Sequence, residues 1–228
     1  MKALPVIVGV LTFAMVGGAI FVQSQKPAFV GVGSNSVNIQ QVPRHPVTKQ
    51  MLVNAEDFVG QEVPSFELPD SEGKSVKSTE LIGQKPSVLV MTKDGCPCSI
   101  ESQGFWTNLA MYYGNSVQFF GIIDVKSAGG KKFKTDFKVP YPILSSETDE
   151  VFRKFGAKQS VYVYVFDAKG IVQKVWPGYN LSSLKELNKL LSEMSGKEAL
   201  ATDWDMAPEK MTSGCFFFKP VGTEKPAW

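Results

Sequence analysis

Ser87 to Met91 (Ser-Val-Leu-Val-Met) is a short apolar, β-branched run, the pattern of a strand buried on both faces of a sheet. Downstream, Phe105, Trp106, Leu109, Ala110, Tyr112 and Tyr113 recur at helical spacing, and Gly114 stands where a C′ glycine would end the helix. Val117 to Ile123 reads as a second buried strand. Phe133 and Phe137, one turn apart within Lys126 to Lys138, predict a short helix. Val151, Phe152 and Phe155 before Gly156 predict another, its N-terminus marked by Glu147, Asp149 and Glu150. Ser160 to Phe166 and Ile171 to Trp176 are β-rich runs joined by Asp167-Ala168-Lys169-Gly170, a hairpin signal. A last helix carries Leu184, Leu187, Leu190, Leu191 and Met194, with Ser183 and Glu186 as a capping box and Gly196 as its stop. A parallel βαβ unit, an antiparallel hairpin and a closing helix make an α/β fold with a mixed central sheet covered on both faces.

The ends read differently. Leu4 to Val22 is a run of 19 residues without a charge, preceded by Lys2. About 20 apolar residues span a hydrocarbon core of about 30 Å as a helix, so residues 1–25 are expected to be a transmembrane anchor. The alternative is a signal segment cleaved near Gly17 and Ala19, which would leave a secreted protein. Either way the rest of the chain is expected outside the cytoplasm, with Lys2 on the inner flank, where disulfides persist. Residues 26–57 mix Gly, Ser, Asn, Gln and Pro without sustained periodicity and read as a linker. One domain over residues 58–196 and a C-terminal tail, 197–228, complete the expected organisation.

Composition narrows the function. Hydrophobic residues at 43% of a 228-residue chain can bury a full core. A net charge of +2 with scattered lysines argues against nucleic acid as a partner. Three cysteines are too few for a disulfide framework, which leaves redox or metal chemistry.

Two of them stand one residue apart at the first strand-to-helix junction, Cys96-Pro97-Cys98. With Cys96 as helix N-cap, Pro97 falls at N1, where its missing N–H costs nothing and its fixed φ is already helical. Unpaired N–H groups and the positive end of the dipole then stabilise a Cys96 thiolate, the reactive form. Cys96 is therefore the candidate nucleophile and Cys98, shielded in the first turn, the candidate resolving thiol. Residues two apart in a helix point to nearly opposite sides, so a bridge between them is strained and suited to being given away. Inert packing of the two thiols is the plain alternative. Cys215, in Met-Thr-Ser-Gly-Cys-Phe-Phe-Phe, is either buried inertly or folded back as a second resolving thiol. Asp94 beside Cys96 would raise its pKa if close.

The element order resembles a thioredoxin-like fold. Gly60, Pro64, Phe66, Leu68, Asp70, Gly73, Leu81 and Gly83 are similar to the opening of redoxin and alkyl hydroperoxide reductase/thiol-specific antioxidant (AhpC/TSA) domains, over residues 58 to about 195. The resemblance implies thiol–disulfide exchange with protein thiols or disulfides, and no organic cofactor. It implies thiol peroxidase activity as the alternative, but two departures count against that. The peroxidase pattern Pro-x-x-x-Thr-x-x-Cys is absent, since Lys93 stands three residues before Cys96 and Thr92 is out of register. The only arginines are Arg44, in the linker, and Arg153, on a predicted helix. Thioredoxins carry a cis-proline before the hairpin strand; the matching position is Val161, expected trans. A copper chaperone using Cys96 and Cys98, with Cys215 and His45 completing four ligands, is the rival class. His45, between Arg44 and Pro46, reads instead as a solvated linker residue. A redox-inert interaction module is the third class.

Overall fold

The structure is a computed structural model that describes residues 43–217. A five-stranded sheet forms its centre, in the order β5 (Ile143–Ser145), β4 (Gln118–Ile123), β3 (Ser87–Thr92), β6 (Tyr162–Phe166), β7 (Val172–Trp176). β3 pairs parallel with β4 and antiparallel with β6, so the sheet is mixed as expected. Side chains alternate across β3: Val88 and Val90 enter one apolar layer, Leu89 and Met91 the other. The long helix α3 (Pro97–Tyr113) and α6 (Leu181–Ser195) lie over the first layer through Phe105, Trp106, Leu109, Leu184 and Leu187. The short helix α5 (Glu150–Lys154) closes the second through Val151 and Phe152. α4 (Ser127–Asp136) leads into β5.

Several local expectations are corrected. A small hairpin, β1 (Glu67–Pro69) with β2 (Ser75–Lys77), and the short helix α2 (Ser78–Leu81) precede β3. β5 is a third parallel strand of three residues, too short to leave a pattern. The cap of α6 is Asn180, whose side chain accepts from the Ser183 N–H while Ser183 Oγ accepts from the Asn180 N–H, so Ser183 is the third helical residue and Glu186 is not part of the box. Gly196 does end α6, in the left-handed conformation at φ 69°. Gly114 ends α3 with right-handed helical geometry, φ −56°.

The linker and the tail are the larger corrections. Within residues 26–57, Thr48 caps a helix, α1 (Lys49–Glu56), which buries Ala55 in the second layer. From the tail, Leu200, Trp204 and Ala207 enter the first layer, and Trp204 stacks on Phe105 of α3 with ring centroids 6.1 Å apart. The packed unit thus reaches well past both expected boundaries. Among the described residues no helix is long and apolar enough to cross a membrane, and the expected anchor at residues 4–22 lies outside them.

Candidate active site

β3 delivers the chain to the start of α3, and the turn between them is tied on three sides. Lys93 forms an ion pair with Asp124 at the end of β4, and the same carboxylate accepts the Asp94 N–H at 2.8 Å. The Lys93 N–H reaches Ser99 Oγ at 3.2 Å. Gly95 completes the turn at φ 65°, a conformation that a side chain disfavours. Asp94 is exposed.

Cys96 then caps α3 from an extended conformation and Pro97 opens the helix, as expected. Two hydrogen bonds reach the Cys96 sulfur, from Ser160 Oγ at 3.3 Å and from the backbone N–H of Cys215 at 3.1 Å. The neighbouring Cys98 thiol, these two donors and the Ser99 N–H at the start of α3 hold Cys96 well below the usual thiol range, Cys98 contributing most and burial opposing. Cys98 moves the opposite way, because it donates to Cys96 and is itself buried. Cys215 is pushed up to about 11 by burial and by its contact with Cys96. All three are free thiols.

Ser160 was not singled out in the sequence. It precedes Val161, the residue in the cis-proline register, and that register was the available signal. Val161 follows a trans peptide bond and takes φ 63°, a left-handed conformation that is unfavourable for a β-branched side chain. Backbone outliers of this kind cost about 1–3 kcal/mol and cluster at functional sites. Its N–H is fixed by the Met91 carbonyl at 2.8 Å, and its bend turns Ser160 toward Cys96.

The tail covers this site. Gly214 N–H donates to the Ser160 carbonyl at 3.0 Å, and Ser160 N–H donates to the Cys215 carbonyl at 2.9 Å. Gln159 Nε2 reaches the Gly214 carbonyl at 3.1 Å. Thr212 bridges both Pro46 and Tyr179, and Phe217 stacks on Phe152 at 3.9 Å. Glycine at 214 allows this close approach, since a Cβ there would overlap Ser160 Oγ and stand 3.0 Å from Cys96 Sγ. Beneath this segment Cys96 is 0% exposed.

His45 is the other residue that sequence reasoning misplaced. Its carbonyl accepts the Ser213 N–H at 2.8 Å, and its ring Nε2 lies 3.7 Å from Cys215 Sγ. It is half-buried and docked rather than solvated. Arg44 beside it pairs with Glu101 of α3 at 2.7 Å, while Arg153 pairs with Asp149 on α5, the helix of the other layer. Cys96, Cys98, Cys215 and His45 share one neighbourhood, yet among the described residues no group of three or more His, Cys, Asp or Glu side chains is placed to hold a metal ion.

Known proteins bear on this arrangement. Residues 59–175 match the model of the AhpC/TSA family, and the chain belongs to that family. It is 25% identical over 166 residues to the chloroplastic peroxiredoxin Q of Suaeda salsa, covering 69% of this chain and 78% of that protein. A putative peroxiredoxin bcp of Coxiella burnetii is 27% identical over 135 residues, covering 52% of this chain and 87% of its own length. Among solved structures, a putative thiol:disulfide interchange protein DsbE from Chlorobium tepidum superimposes with a TM-score of 0.55 at 19% identity, over 60% of this chain and 98% of its own. That likeness establishes the thioredoxin-like fold. His45, Gly214 and Cys215 all lie outside residues 59–175, the range of the family match.

Proposed function

We propose that the chain is a thiol–disulfide oxidoreductase in which Cys96 is the nucleophile and protein thiols or disulfides are the partners. The observation that carries this is the approach of Ser160 Oγ and the Cys215 N–H to one cysteine sulfur at a helix N-terminus, with the Cys98 thiol beside it. Packing cysteines have no need of such donors, which speaks against an inert module. In one direction the Cys96 thiolate attacks a partner disulfide and expels one partner thiolate, leaving a mixed disulfide. A second thiol of this chain then attacks the Cys96 sulfur and releases the other partner thiolate, so two electrons have moved from the chain to the partner. The reverse sequence oxidises a partner dithiol.

Both Cys98 and Cys215 contact the Cys96 sulfur. Cys98 is fixed in the first turn of α3, two residues from Cys96, where a bridge would close a short, strained ring. Cys215 approaches on a separate segment, and we assign it as the main resolving thiol. A thiolate held by these donors at a helix N-terminus stabilises the reduced state, which makes the bridge oxidising. Residues 4–22 support a membrane anchor with this site on the extracytoplasmic side, where such a bridge persists.

The test is stoichiometric transfer. Pre-oxidised protein should convert a reduced dithiol peptide to its disulfide, one per chain, and Cys96→Ser should abolish the transfer. Failure of the native protein to transfer would overturn the assignment. Peroxide reduction is the second reading, favoured by the peroxiredoxin names of the relatives and by a hydroxyl, Ser160 Oγ, donating to Cys96. Consumption of hydrogen peroxide coupled to a small dithiol, lost in Cys96→Ser, would select it.

A further inference from the structure

Resolution needs Cys215 as a thiolate, because the thiol is a poor nucleophile. Its surroundings work against this, since burial keeps the proton on after Cys96 has been tied up in the mixed disulfide. A proton acceptor is therefore required within reach of its sulfur. The charged and titratable groups around it are Cys96 and Lys93 from the turn before α3, Asp124 from the end of β4, and His45. Lys93 and Asp124 are paired with each other, and Cys96 is bonded to the partner at this stage. Glu101 is held by Arg44. His45 remains, with Nε2 at 3.7 Å from Cys215 Sγ.

The position of His45 is built rather than incidental. Its carbonyl is paired with the Ser213 N–H at 2.8 Å, the next residue bridges Thr212, and the Val47 N–H donates to the Met211 carbonyl at 3.3 Å. The segment that carries the imidazole and the segment that carries the thiol are thus two strands of one small ladder. Anything that moves the tail within that ladder moves the base and the thiol together.

We propose that His45 is a catalytic residue, the general base of the resolving step, accepting the Cys215 proton on Nε2. This rests on the assignment of Cys96 and Cys215 above. The ring in its Nδ1–H tautomer takes the proton as the Cys215 sulfur attacks the Cys96 sulfur of the mixed disulfide. The Cys96–Cys215 bond forms and the bond from Cys96 to the partner sulfur breaks, with its electron pair leaving on the partner. The imidazolium then returns the proton to that departing thiolate. Imidazole is suited to this because one ring nitrogen can accept a proton while the other carries one. In the reverse direction the same ring protonates Cys215 as it leaves.

A chromogenic aromatic disulfide, dithiobis(nitrobenzoate), separates the steps. Reduced full-length chain carrying Cys98→Ser is mixed with one equivalent of the reagent. The first chromophore release reports attack by Cys96, the second reports attack by Cys215, and the product mass distinguishes a bridge from two adducts. His45→Gln should lower the ratio of second to first release rates by about 100-fold near pH 7, the low end for general-base catalysis. Added imidazole should restore that ratio, and the deficit should close as the pH approaches the range of Cys215 itself. A ratio unchanged by His45→Gln would overturn the proposal. So would a deficit that neither imidazole nor high pH repairs, which would mean that His45 only holds the tail in place. Absence of the first release from the protein with His45 intact would instead refute the exchange assignment on which the proposal stands.

Discussion

Gly214→Ala is the smallest change that separates the tail from the active cysteine. The added methyl group would overlap Ser160 Oγ and crowd Cys96 Sγ, and two relaxations are open to it. The tail lifts, taking the Cys215 N–H from the Cys96 sulfur, or Ser160 rotates and withdraws its hydroxyl. Each costs the thiolate one hydrogen bond, and a bond to a charged group is worth about 1.5–3 kcal/mol. At 1.36 kcal/mol per pKa unit, Cys96 should rise by about one to two units. If the tail lifts, three further hydrogen bonds between residues 159–160 and 214–215 are lost, at about 1 kcal/mol each. Cys96, fully covered in the resting fold, would then be open to reagents without the tail first moving aside. The assay is alkylation by iodoacetamide across pH, with thiolate absorbance as a second readout. The variant should alkylate Cys96 faster at pH values above its raised pKa and show the upward shift. Native rates and a native titration midpoint in Gly214→Ala would refute the placement of the tail over Cys96.

Further outcomes follow from the same contacts. Because Cys96 is depressed, the folded state binds fewer protons than the unfolded state between its lowered pKa and the ordinary thiol value near 8.5. The stability this contributes is present above that ordinary value and is lost as pH falls through the window, at no more than about 1.4 kcal/mol per pH unit. The melting temperature of reduced native protein should therefore fall more steeply than that of Cys96→Ser when pH is lowered from about 8 to 5, and parallel curves would contradict it. Trp204→Ala removes a nearly buried ring stacked on Phe105 and should cost about 3–5 kcal/mol in chemical denaturation; a loss below about 1 kcal/mol would show that residues 197–210 are not part of the core. Ser160→Ala deletes one donor and should raise Cys96 by about one unit or more while leaving the backbone pairing to Gly214 intact, read by the same thiolate titration.

Much of the sheet was legible because burial on both faces leaves continuous apolar runs, as in β3, β4 and β6. The cap at Cys96 and Pro97 was legible because N-terminal helix chemistry is local. What escaped is held together by main chain. The ladder of residues 45–47 with 211–213, and the pairing of 214–216 with 159–160, use backbone groups of His, Thr, Ser and Gly, which leave no periodicity to read. α1 buries little beyond Ala55, so its sequence looks like linker. Ser160 was missed and His45 misplaced for that reason: each is brought to Cys96 or Cys215 by segments whose docking has no side-chain signature. Cys215, by contrast, was legible as a candidate, and the close packing at Gly214 explains why a glycine precedes it.

The most direct measurement is an equilibrium titration of the full-length chain in glutathione buffers, with free thiols trapped and bridges mapped by mass. Exchange chemistry at Cys96 predicts a reversible Cys96–Cys215 bridge with a midpoint above about −200 mV, in the oxidising range. Three thiols that stay free throughout, or a bridge as reducing as a structural disulfide, below about −300 mV, would contradict it.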